Sequence, residues 1–202
     1  MKNTLKLLFT LILFIQIQSC KQEKNTVSQE SATTNSKTSE IENLIKGMSI
    51  EQKVGQMTQI NIDVISKGKI YNLKVPHQVD SAKLDSAINK YFVGSILNAA
   101  GYPFSRAHWK NLITNIQTKA VSEGSKIPIL YGIDAIHGAN YTVGATLFPQ
   151  QIGLAATWNP SLVESVASIT AYDVSASGIP WNFSPVLDLA RQPLWGRFFE
   201  TF

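Results

Sequence analysis

One cysteine is all the thiol chemistry this 202-residue chain carries, and with it go only three histidines. A single thiol cannot close an intramolecular disulfide, and Asp134 and His137, the one pair that could begin a metal site, have no third ligand at suitable spacing. Charge is also sparse, at 16% of residues. From Ile41 onward thirteen Lys/Arg face eleven Asp/Glu, with no basic run or Arg-rich helix, so the overall +4 and the pI near 9.1 do not point to a nucleic-acid partner. No apolar run reaches the roughly 20 residues needed to span a bilayer. A glycine-rich phosphate loop after the first strand is missing as well, which counts against a nucleotide-binding sheet.

What the chain does have is 44% hydrophobic residues, enough to bury a core and to exclude disorder along its whole length. Its first twenty residues read as an export address. Lys2 and Lys6 precede the apolar stretch Leu7 to Ile15, the size of a secretory h-region, and the lone Cys20 follows after Gln18 and Ser19. This arrangement resembles a bacterial lipoprotein signal, which implies acylation at Cys20 and a membrane partner through a lipid anchor. Ile17 and Gln18 depart from the strict motif, and cleavage by an ordinary signal peptidase is the competing expectation. Residues 21–40 hold only Val27 and Ala32 as apolar side chains and are expected to form a disordered polar tether.

From residue 41 to 202 helix and strand signals alternate. Ser49 and Gln52 form a capping-box pair before a short helix, and Thr58 to Ile62 reads as the first strand. Leu84, Ile88 and Tyr91 share a face of a second helix, followed by the strand Gly94 to Leu97. Ser105 caps a helix with Trp109, Leu112, Ile113, Ile116 and Ala120 at helical spacing, and Pro128 introduces the strand Ile129 to Ile133. Asn159 and Pro160 open a helix carrying Leu162, Val163, Val166 and Val174, and the strand expected after it covers Trp181 to Leu187. Apolar strands each separated by a helix predict a helix-covered parallel sheet, open as to doubly wound sheet or closed barrel.

Two constellations carry chemistry. Asp134 directly follows the strand ending at Ile133, with Ala135, Ile136, His137 and Gly138 after it, and a carboxylate there would lie on the catalytic face of a barrel, able to accept paired hydroxyl hydrogen bonds. Taken alone it is as readily a turn cap. Asp188 ends the later strand, and Arg191, Trp195, Gly196, Arg197 and Glu200 follow in a loop, which reads either as donors and a ring face for a polyol or as a structural Arg–Glu ion pair. His77 and His108, without acidic or Cys neighbours, read as ordinary surface or partly buried residues, and Trp109 and Trp158 as core.

The segments IPILYGIDAIHG, FPQQIGLAATWNP and FSPVLDLARQPLWGRFFETF closely resemble glycoside hydrolase family three, and EQKVGQMTQ is similar to that family's opening helix. The resemblance implies an α/β (β/α)8 TIM barrel. A full barrel takes roughly 250 residues, so about its first half, or a little more, is expected between 41 and 202. It further implies an exo-acting, retaining β-glucosidase acting on β-linked oligosaccharides or polysaccharides without a cofactor, and the lipoprotein-type signal adds the expectation of an exported, periplasmic or outer-membrane lipoprotein of a Gram-negative bacterium. A β-N-acetylhexosaminidase or β-xylosidase of the same family is the alternative within the class, and a glycan-binding, non-catalytic surface lipoprotein the alternative outside it. Asp134 and Arg197 match residues that hold hydroxyls of the departing sugar. Glu200 matches a motif glutamate, while Asp188 and His137 match structural positions. Gln192 and Leu194 depart from the acidic residue and arginine usual there, and the nucleophile and acid/base of the pattern lie beyond Phe202, leaving no catalytic carboxylate in these residues.

Overall fold

The computed structural model describes residues 37–202, in two units that divide after Met48. The apolar run Leu7 to Ile15, Cys20 and most of the expected tether lie outside the described residues. In the first unit residues 37–47 are helical, so the helix already includes four residues of the expected tether, and it carries Ile41, Leu44 and Ile45 exposed on one face.

The second unit is built on four parallel strands in the order β1, β4, β5, β6, spanning Gln59–Asn61, Ser95–Leu97, Leu130–Ile133 and Trp181–Asn182. Ile60 stands opposite Ile96, Ile96 opposite Tyr131, and Gly132 opposite Trp181. Helices fill the crossovers. Helix α1, Ile50–Gln56, starts at the capping box: Ser49 accepts from the Gln52 amide and Gln52 returns a bond to the Ser49 amide, at 3.2 and 2.9 Å. The β1–β4 crossover contains a small antiparallel hairpin, β2 Gly68–Lys69 with β3 Asn72–Leu73, and then helix α2, Ser81–Asp85. Helix α3, Arg106–Ser122, connects β4 to β5, and α4, Gln151–Ala155, and α5, Pro160–Ala176, connect β5 to β6.

Helix α3 buries all five residues that its spacing selects, Trp109 and Ile116 almost completely, against Ile96, Tyr131 and Ile133 of the sheet. Each such side chain contributes about 1.5–3 kcal/mol of transfer free energy, which is why the apolar stripe decides the helix's rotation. Ser105 and Asn159 cap α3 and α5 through the amides of His108 and Leu162. The side chains of Arg106 on α3 and Asp173 on α5 form an ion pair in which Asp173 is buried.

Three expectations are corrected. Tyr91 is 58% exposed rather than on the buried face of α2, because α2 continues as a π turn, Ser86–Lys90, whose extra residue rotates Tyr91 off the line of Leu84 and Ile88. The last strand ends at Asn182, well short of Leu187. Phe183 adds one bond to Ile133, after which Pro185 has no N–H for the ladder. Trp158 is 92% exposed, since it sits at φ 52° in the turn between α4 and α5 rather than on either helix.

Candidate functional site

All four parallel strands point their C-terminal ends the same way, so Asn61, Asn98, Asp134 and the segment after Asn182 share one end of the sheet. Asp134 is the first residue past β5 and is half-buried. Its position is fixed from β6: the Asn182 side chain accepts from the Ala135 amide at 2.9 Å and donates to the Ala135 carbonyl at 3.1 Å. Asn182 was not singled out from the sequence, and the available signal was a lone amide inside a mostly apolar run. Gly132, one turn of the pleat before Asp134, lies against the Phe183 ring, which a Cβ at 132 would meet at 2.4 Å and push aside.

The loop from Asp188 to Phe202 is closed at its neck by Ala190 N–H to Phe202 O at 2.9 Å and Phe202 N–H to Asp188 O at 3.1 Å. Its far side ends in a short 3-10 turn, Phe198–Glu200. Within it Arg197 donates through both Nε and Nη2 to the two carboxylate oxygens of Glu200, a bidentate pair. Glu200 is buried, while Arg197 remains mostly exposed. The ion pair considered for these two residues is therefore present, and it occupies both oxygens of Glu200.

Electrostatics ties the two loops together. Burial pushes the Asp134 carboxyl above its ordinary range, the Arg197 charge opposes this, and the Glu200 charge adds to it. Pairing with Arg197 holds Glu200 below the usual carboxylate range. The Tyr141 phenol is raised by burial and by the charge of Asp134. Asp134, Arg197, Glu200 and Tyr141 thus form one electrostatic neighbourhood, to which Asp188 contributes by raising Arg197 further. His137 does not join it as a free group: Nδ1 meets the Phe148 carbonyl at 2.8 Å and Nε2 meets Gln150 Nε2 at 3.2 Å, which ties the Asp134 loop to the start of α4.

His77 corrects the sequence reading, whereas His108 is partly buried as expected. His77 is 4% exposed, and its Nδ1 lies 3.0 Å from His108 Nε2 while its Nε2 lies 2.8 Å from Ser66 Oγ. Ser66 has one proton, donated to the Ile62 carbonyl at 2.7 Å, so His77 Nε2–H donates to Ser66 and His108 Nε2–H donates to His77 Nδ1. Phe104 stacks on His77, and Lys83 Nζ donates to the Ser66 and Gly68 carbonyls. The cluster holds the hairpin crossover down. Sequence distance hid it, because 31 residues separate the two rings.

Burial first, and His108 next, lower His77 to about 4, with Asp63 opposing. An unfolded histidine near 6.5 takes its proton first, so stability is highest above that pH and is lost as pH falls towards 4. His108, lowered by burial, acts in the same direction. Between pH 7 and 5 His77 should cost about 2 kcal/mol, read as a lowered urea midpoint that His77→Gln makes less pH-dependent. An unchanged midpoint over that range would contradict the neutral pair.

Residues 49–202 match the family model described as the glycosyl hydrolase family 3 N-terminal domain. The chain is 42% identical over 172 residues to a lysosomal beta glucosidase of Dictyostelium discoideum, covering 80% of this chain and 20% of that protein. It is 28% identical over 162 residues to a periplasmic beta-glucosidase of Salmonella typhimurium, covering 80% of this chain and 18% of that one. Among solved structures, a family 3 beta-N-acetylglucosaminidase from Paenibacillus aligns with a TM-score of 0.57 at 24% identity, over 71% of this chain and 25% of that one. A beta-glucosidase from Listeria innocua aligns with a TM-score of 0.55 at 24% identity, over 81% and 20%. These two alignments speak to fold alone. The chain spans about a fifth of the length of the curated relatives it matches.

Proposed function

Because the chain belongs to glycosyl hydrolase family 3, we propose that it supplies the sugar-gripping half of a TIM-barrel active site in an exo-acting, retaining β-glucosidase. The observation that carries this reading is the place of Asp134 at the C-terminal end of a parallel strand, the end where barrel enzymes place their chemistry, within reach of the charges of Arg197 and Glu200.

In this reading Asp134 accepts hydroxyl hydrogen bonds from the terminal glucose, and burial strengthens those bonds by excluding competing water. Arg197 uses the guanidinium edge left free by Glu200 to donate to the same ring. Glu200 is a positioning residue: its buried carboxylate fixes the plane of Arg197, so that little side-chain entropy is lost when sugar binds. Together they convert binding energy into orientation of the anomeric carbon. The nucleophile and acid/base of a double displacement are contributed from outside these residues, about 5–5.5 Å apart as retention requires. The 42% identity to a beta glucosidase supports glucose as the sugar.

The test is the complete polypeptide containing this segment, assayed on aryl β-glucoside, β-xyloside and N-acetyl-β-glucosaminide, with the first-formed anomer read by NMR. Glucose released first as the β-anomer supports the reading. Faster turnover of either other substrate would reassign the specificity, and release of the α-anomer would overturn retention.

We also propose that Cys20 is acylated and anchors an exported protein, on the strength of its place after an h-region. Cys20→Ala should move the protein from the membrane to the soluble fraction and abolish labelling by a fatty-acid analogue. A mutant that fractionates as the parent does would refute the anchor.

A further inference from the structure

Among the described residues nothing forms a hydrogen bond or a salt bridge with the Asp134 carboxylate, so its direction is left to the backbone that carries it. That backbone is gripped on either side by successive residues of one neighbouring segment. Before Asp134, the Phe183 amide donates to the Ile133 carbonyl at 2.9 Å. After it, the next rung of a parallel ladder would run from the Ala135 amide to the Phe183 carbonyl, but Asn182 Oδ1 accepts that bond instead, at 2.9 Å. Asn182 Nδ2 then donates to the Ala135 carbonyl at 3.1 Å. Only one orientation of the amide serves both groups, oxygen to N–H and nitrogen to carbonyl. A side chain thus supplies the rung where backbone pairing stops, β5 ending at Ile133 and β6 at Asn182. The Ala135 N–H belongs to the planar peptide that follows Asp134, so holding it fixes the backbone rotation from which the carboxylate projects.

Asn182 does this from the side of the sheet away from Asp134. A Cβ at Gly132 would lie 2.4 Å from the Phe183 ring and 3.1 Å from that of Trp181, so both rings share the Gly132 face, and the pleat carries the same face to Asp134. Asn182, between the two aromatics, points the other way, and with Ile136, Gln151 and Val174 it lines a cavity of about 530 Å³ against α5. From there its amide cannot reach a sugar held by Asp134, and its influence passes through the Ala135 backbone. The rest of the loop is tied elsewhere, Ile136 and His137 to the segment that opens α4 through Gln151 and Phe148. Asn182 ties it to β6, and β6 runs on into the loop that carries Arg197 and Glu200.

We propose that Asn182 is a positioning residue for glucoside hydrolysis: its amide, bonded to both backbone groups of Ala135, aims Asp134 at the terminal sugar and keeps it in register with the Arg197 loop. The proposal rests on the placement of the terminal glucose at Asp134. A misplacement of about 1 Å at a reacting centre can cost on the order of a hundredfold in rate. A carboxylate on a freely rotating peptide must also be ordered when sugar binds, which lowers the net gain from each hydroxyl bond.

The experiment is a double-mutant cycle on the complete polypeptide with an aryl β-glucoside, using Asn182→Ala, Asp134→Asn and the pair, together with hydrogen exchange of the segment that spans Asp134. Asn182→Ala should lower kcat/KM about five- to twentyfold in the parent and less than about twofold in the Asp134→Asn background, because it acts through a carboxylate already removed. Asn182→Ser, whose short hydroxyl cannot span both groups, should fall between the parent and Asn182→Ala. It carries the same cycle if circular dichroism shows that Asn182→Ala fails to fold. Exchange at the Ala135 amide should quicken in both variants. Equal fold-losses in the two backgrounds, or unchanged exchange at Ala135, overturn the positioning role and leave the sugar site standing. Unchanged turnover in Asp134→Asn itself overturns the sugar-site reading, and the positioning role with it.

Discussion

Asp134→Asn in the complete polypeptide is expected to lower kcat/KM on an aryl β-glucoside at least about tenfold, and up to about a hundredfold, with the thermal midpoint nearly unchanged. The magnitude follows from the loss of charge-assisted hydrogen bonds worth about 1.5–3 kcal/mol each in a half-buried setting. Asparagine keeps the shape, but it has one acceptor oxygen where the carboxylate has two, and it presents donors to hydroxyls that need acceptors. Stability should hold because Asp134 forms no salt bridge within the described residues, and the backbone beside it is fixed by Asn182 rather than by its own side chain. Arg197→Lys should impair turnover as well, since a point charge cannot keep the bidentate contact to Glu200 and donate to a sugar in the same plane. Unchanged kinetics in both variants would remove these residues from the site.

The largest stability effect is expected at Gly138, four residues further along the same loop. Its φ is 110°, outside even the left-handed region that side chains occasionally adopt, and a Cβ there would lie 2.1 Å from the Thr146 carbonyl oxygen. Backbone oxygen cannot swing away as a side-chain tip can. Either the 138 turn or the segment from Thr146 must move, and the latter is joined to His137 through the Phe148 carbonyl. Gly138→Ala should therefore cost on the order of 3 kcal/mol, combining backbone strain with displacement of packed chain. For a unit of this size that lowers Tm by about 6–12 °C. Activity should fall in parallel, because the same loop carries Asp134. A Tm within about 2 °C of the parent would show that the loop has slack.

How much of this was legible in the residues varied with the reach of the interaction. The capping box at Ser49 and the caps at Ser105 and Asn159 were predicted correctly because each is set by contacts within four residues along the chain, and the stripe of α3 because its apolar residues repeat at helical spacing. Tyr91 was misplaced because the π turn before it breaks the 3.6-residue spacing on which the prediction relied. His77 was misjudged for a different reason: its partners, Ser66 and His108, are 11 and 31 residues away and come together only when the crossover folds over Phe104.

By itself the sequence determined the alternation of strand and helix, the family through three ordered motifs, and the candidates Asp134, Arg197 and Glu200, because periodicity and motif spacing are local properties of the chain. Only the tertiary structure decided the surroundings of those candidates. It raised Asp134 through burial and brought Asn182 to hold Ala135. Each of these depends on parallel pairing between strands more than thirty residues apart. That register is fixed by which apolar faces pack together, and no stretch of the chain records it alone.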